Sequence, residues 1–222
     1  MKRWLSKLLF VAVVCAPAAV FAQSAGDAVI HRGQGWSLYS GQTVGNGASV
    51  VSGQLGWPGL SAQFNYGATD RFDLGGRLTL INYGFEGRVR DVVPGMKLQA
   101  LARFQLLDRG RINLGVEFAL GPLFYFRRYG TQVGLAVPLQ FTAGVPIGSA
   151  MMANFGVVLP MFVIFGTGGG FYLPILFGGG LEYYIDRRLS ASFNLKMGPS
   201  IFTRTGVADL AMDALVGVAY RF

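Results

Sequence analysis

Catalysis by a side-chain nucleophile or a bound metal needs histidine, cysteine or clustered carboxylates within reach of one another. This 222-residue chain holds one histidine, His31, and one cysteine, Cys15. A lone cysteine forms no intrachain disulfide and no thiolate metal site. His31 precedes the first strand-like segment and has no second imidazole with which to hold a metal, so it reads as a solvated residue. The glycine-rich run Gly166-Thr167-Gly168-Gly169-Gly170 lacks the lysine and following helix of a phosphate-binding loop and reads as a flexible hairpin. The expectation is a protein with no catalytic residue, no metal and no cofactor, and therefore not an enzyme.

The remaining chemistry lies in charges set into apolar sequence. Hydrophobic residues make up 52% of the chain and charged ones only 14%, and glycine occurs 33 times. An ordinary soluble domain has about 25% charged residues. Asp73, Arg77, Lys97, Arg103, Arg111, Glu117, Glu182, Lys196, Asp209, Asp213 and Arg221 all sit on the polar side of alternating segments. Leu210, Met212, Ala214, Val216, Val218, Tyr220 and Phe222 occupy even positions, with Asp209, Asp213, Gly217 and Arg221 among the odd ones. The same rhythm runs through 189–201, 133–145, 112–126 and 98–106. Period-two alternation over about ten residues marks a strand with one apolar and one polar face.

A hydropathy window alone would favour helices in Tyr129–Leu181, which holds no Asp, Glu, Lys or Arg. Pro138, Pro146, Pro160 and Pro174 interrupt that stretch, and Gly-Gly-Gly occurs in it twice. The parity of the side chains decides for strands. Turn motifs centred on Asp70-Arg71, Asp108-Arg109, Gly148 and Asp186-Arg187 recur about every 38 residues, the length of one hairpin step. Ten strands follow, near 47–56, 60–68, 72–83, 96–107, 111–126, 131–145, 151–165, 171–185, 188–202 and 207–222. An even number is what closure of an antiparallel barrel requires.

Residues 1–22 read as a cleaved signal peptide, with Lys2, Arg3 and Lys7 ahead of the apolar run and small residues before Gln23. Residues 23–46 are expected to form a periplasmic leader and 47–222 the barrel. Centring the last hairpin on Thr203–Gly206 opposes Lys196 to Asp213, so an ion pair is expected there.

The architecture resembles the small outer-membrane β-barrel proteins of Gram-negative bacteria. The resemblance spans 47–222 and is strongest in the last strand, ending Val216, Val218, Tyr220, Phe222. In that family such an ending is the signal read by the barrel-assembly machinery. It implies an all-β, up-and-down transmembrane barrel in the outer membrane, with lipid and lipopolysaccharide as neighbours and other envelope proteins as partners. Nucleic acid is not an expected partner. Arg88, Arg90, Arg127, Arg128 and Arg204 fall in or beside the external loops, where arginine suits phosphate groups. Inward charges of both signs fit a salt-bridged interior, and inward glycines leave room for a pore. The reading adopted is a largely plugged barrel that anchors or partners an envelope assembly for secretion, motility or surface machinery. A narrow porin-like channel for small solutes is the alternative.

Overall fold

The computed structural model describes residues 36–81, 93–108, 112–128, 130–166 and 169–222. The proposed signal peptide, His31, Arg88, Arg90 and Arg111 lie outside the described residues.

The described chain is all-β and antiparallel. In order the strands are β1 (Ser49–Trp57), β2 (Gly59–Thr69), β3 (Phe72–Ile81), β4 (Gly95–Asp108), β5 (Asn113–Arg127), β6 (Gly130–Ala136), β7 (Leu139–Ile147), β8 (Met151–Leu159), β9 (Phe162–Ile164), β10 (Gly170–Pro174), β11 (Leu176–Tyr184), β12 (Leu189–Phe202) and β13 (Val207–Arg221). Hydrogen bonds run β1-β2-β3-β4-β5-β7-β8-β11-β12-β13, and β13 returns to β1, which closes a ring of ten strands. β6, β9 and β10 complete the wall between β5 and β12 at one end of that ring.

The sequence predicts single strands over 131–145, 151–165 and 171–185, and the structure breaks each of them in two. The cause is a row of prolines. β7 opposes β8 with Leu139 facing Leu159, and β6 opposes β9 with Ala136 facing Phe162, so the common register sets Pro138 against Pro160. The ladders on either side of the next seam set Pro160 against Pro174. Proline cannot donate to a ladder, and three in a row across neighbouring strands remove the bonds that would make those strands continuous. Single bonds bridge the gap: Ala119 N–H to Pro138 O at 3.0 Å, Val137 N–H to Met161 O at 2.8 Å and Ile175 N–H to Pro199 O at 2.8 Å.

β12 and β13 hold the register expected of the last hairpin along their whole length, from Leu189 against Tyr220 to Phe202 against Val207, with Lys196 facing Asp213. The turn between them closes through Gly206 N–H to Phe202 O at 2.9 Å, with Gly206 at φ +66°. At the opposite end of the ring, Asp186 accepts from the N–H groups of Arg188 (2.6 Å) and Leu189 (2.8 Å). That is the local carboxylate-to-backbone bond for which aspartate is favoured in turns.

Burial alternates along the strands, most regularly in β2, where Ser61, Gln63 and Asn65 are buried and Leu60, Phe64 and Tyr66 exposed. The outer face carries large apolar side chains all round, including Val51, Leu78, Leu98, Phe118, Phe141, Phe155, Phe177, Phe193 and Val216. Among the described residues every exposed charge lies in a turn or at a strand end.

Candidate functional site

The interior is built in three levels. At the end carrying the Asp-Arg turns, residues 36–48 fold into the ring. The sequence reading assigns 23–46 to a leader without fixing whether 31–46 add to the barrel; here Trp36, Ser37, Leu38, Ser40, Thr43 and Val44 are all buried. The segment crosses from the β11–β12 turn, where the Trp36 indole donates to Arg187 O at 3.2 Å, to the β2–β3 turn, where the Thr43 hydroxyl donates to Asp70 O at 2.9 Å. Trp36, Leu38 and Val44 pack with Val50 and Ala219, and Trp36 meets the Tyr184 ring edge-on at 5.7 Å. Gly41 rests directly on β5: a Cβ there would lie 2.3 Å from the Leu114 carbonyl carbon, and one on Gly115 would lie 2.8 Å from Gly41 Cα. The space left by inward Gly115 and Gly144 is thus occupied by this segment, with Ser40 Cβ lying 2.4 Å from a Cβ built on Gly144.

The middle level is the charge network. Arg77 Nη2 and a Glu117 oxygen are 2.6 Å apart, and Arg77 Nε donates to Gln63 at 2.7 Å. Arg103 lies 3.6 Å from Asp73 and 3.9 Å from Glu117, and it donates to the Ser37 carbonyl through Nη1 (2.7 Å) and Nη2 (2.9 Å). Asp73 accepts from the Val44 N–H at 3.0 and 3.2 Å. Glu182, fully buried, accepts from the hydroxyls of Ser37 (2.5 Å) and Ser190 (3.0 Å), with the Tyr184 hydroxyl at 3.4 Å. Buried charges persist only with partners, and here Ser37 and Val44 of the inserted segment are among them.

The third level closes the opposite end. Ile81, Val93, Leu123, Tyr125, Ala136, Phe162, Ile164, Tyr172 and Phe202 form an apolar cluster inside the ring. Its rings are stacked, Phe162 on Tyr172 at 4.7 Å and Tyr172 on Phe202 at 4.5 Å. Val158 and Leu176 continue it toward the middle.

The charges singled out by parity are thus brought together in part. Asp73, Arg77, Arg103 and Glu117 form one network, joined to Glu182 through Ser37. Lys97 and Lys196 are buried, and Asp209 and Asp213 half-buried, with Asp209 facing Ser200. Arg127, Arg128 and Arg204 are exposed at the end opposite the Asp-Arg turns. Val216, Val218, Tyr220 and Phe222 all face outward. Sequence reasoning missed Ser37, Gly41 and Asn113, whose side-chain oxygen accepts from Gly41 N–H at 2.8 Å. The available signal was compositional, since Trp36, Leu38 and Val44 give the leader an apolar set that a solvated segment does not need.

Among the described residues no group of three or more His, Cys, Asp or Glu is placed to hold a metal ion. No protein-family model and no curated protein sequence matches the chain.

Proposed function

We propose that the chain is an integral β-barrel of a Gram-negative outer membrane, with its lumen closed at both ends and no enzymatic role. It anchors or partners another component of the envelope. The observation that carries this reading is the pairing of an apolar outer face with a filled interior. Soluble monomers rarely expose contiguous apolar patches beyond a few hundred Å², whereas lipid would cover the ring of Leu, Phe and Val here. The ten strands of the ring, 9 to 15 residues long, suffice for a bilayer, which needs about 9–11. Ten strands enclose little more than the eight that side chains just fill, and residues 36–48 take up that difference. Arg127, Arg128 and Arg204 would then lie level with lipopolysaccharide phosphates, and the outward Val216–Phe222 edge would be read by the barrel-assembly machinery.

Planar-bilayer recording on the purified full chain tests the reading. The expected result is no discrete conductance steps. Regular steps in the unaltered protein would establish the narrow channel instead.

A further inference from the structure

One row of the interior alternates asparagine with glycine. Along the register from β5 to β12, Asn113 faces Gly144, Gly144 faces Asn154, Asn154 faces Gly180 and Gly180 faces Asn194. All three asparagines are buried, Asn154 at 3% and Asn194 at 5% exposure. A glycine brings no side chain, so each glycine position leaves a gap for the asparagine beside it.

Asn113 shows how such a gap is used. A Cβ built on Gly144 would run into Asn113 Oδ1 and into Ser40 Cβ of the inserted segment. That oxygen accepts from Gly41 N–H at 2.8 Å, and the Asn113 amide nitrogen lies 3.7 Å from Met152 Sδ. Both ends of Asn113 are therefore met by the protein. The gap at Gly180 has the same form and a different filling. A Cβ on Gly180 would lie 2.5 Å from Asn194 Oδ1, so Asn194 leans over Gly180, the residue that separates it from Asn154. Neither the nitrogen nor the oxygen of Asn154 or of Asn194 has a hydrogen-bond partner among the described residues. Buried amides are rarely left so, because each unmade bond forfeits the hydration lost on folding.

The two amides define what fits between them. Each offers two N–H donors and one carbonyl acceptor. An anion would meet only the donors, and a metal cation only the oxygens. A ligand that both donates and accepts meets both. Neighbouring strands lie about 4.8 Å apart, which sets the two backbones about 10 Å apart across Gly180. A bridging water spans about 5–6 Å between the groups it joins, and the two side chains take up the rest. Asn194 also lines the interior cavity of about 110 Å³. On the same measure one water needs about 10–15 Å³, so the bridge adjoins a space with room for several more.

We propose that Asn154 and Asn194 form a binding site for an ordered water over Gly180, which joins β8 to β12 as Asn113 joins β5 to the inserted segment. The site needs only the closed ring. It requires neither an envelope partner nor a particular conductance, so its failure and that of the anchoring role are distinguishable.

The test is water-edited solid-state NMR on the full chain in lipid bilayers, with the asparagine side-chain nitrogens labelled and assigned through the backbone. At short mixing times, transfer from water protons to the Asn154 and Asn194 amides is expected to be at least threefold stronger than to the Asn113 amide, which the protein itself engages. In Asn194→Leu, with the β-sheet circular dichroism spectrum retained, transfer to Asn154 should fall at least threefold, because one arm of the bridge is gone. Transfer to Asn154 and Asn194 no stronger than to Asn113 in the unaltered chain would overturn the site, and that comparison needs no variant to fold. Undiminished transfer to Asn154 in Asn194→Leu would overturn the bridge.

Discussion

Arg103 is the residue on which the interior depends most. Its guanidinium is almost fully buried and serves three acceptors from two parts of the chain: Asp73 and Glu117 on the wall, and the Ser37 carbonyl on the inserted segment. Removing it takes the cation from beside buried Asp73, leaves Glu117 to Arg77 and cuts a fork of two bonds holding Ser37. Loss of one partner from a buried ion pair costs about 3–5 kcal/mol. Arg103→Met is therefore expected to destabilise the folded protein by about that amount, read as a lowered urea midpoint in lipid vesicles. Glu117→Gln, which keeps the shape and one acceptor, should cost clearly less. Equal stability of Arg103→Met and the unaltered chain would show that the network adds nothing.

At the scale of elements, the wall is uneven. β12 and β13 form an unbroken ladder of fourteen opposed residues, whereas the strands between β5 and β12 are cut where Pro138, Pro160 and Pro174 meet. Ladder bonds missing on several neighbouring strands lower the local free energy of opening. Amide hydrogens of Leu159, Met161 and Ile175 should exchange several-fold faster than those of Leu195 and Met197 in β12. Mass-spectrometric exchange on the protein in lipid nanodiscs measures this. Uniform protection around the ring would mean that the inner apolar packing, with Pro174 fully buried, compensates for the lost bonds.

For the whole molecule, the decisive feature is the inversion of the usual arrangement, with charges inside and apolar side chains outside. Phe193 lies near the middle of β12, 50% exposed on the outer face, and its neighbour Asn194 faces in. Arginine on the lipid face near the bilayer midplane costs about 2–4 kcal/mol. Phe193→Arg should therefore reduce the yield of folded, membrane-embedded protein, scored as the heat-modifiable band on an electrophoretic gel. The same substitution in a protein whose outer face met water would relieve an exposed apolar patch and raise soluble yield. The two outcomes point in opposite directions, which makes this a direct test of the membrane reading.

Much of this was legible without coordinates, for a definite reason. In a strand successive side chains point to opposite faces, so parity alone assigned Asp73, Arg77, Lys97, Arg103, Glu117, Glu182 and Lys196 to the interior. The centre of the Thr203–Gly206 turn set the opposition of Lys196 and Asp213, because an antiparallel register is fixed once its turn is known. Two things required the tertiary structure. The prolines were visible in the sequence, but their alignment across three strands depends on two inter-strand registers at once, which no single segment encodes. The inserted segment was hidden for another reason. Trp36, Leu38 and Val44 gave it an apolar set, but the bonds to Arg103, Asn113 and Asp73 run through backbone groups, the Ser37 carbonyl and the Gly41 and Val44 amides, and every residue has those. Only the closed ring brings Arg103, Asn113 and Asp73 to where such groups can be bound.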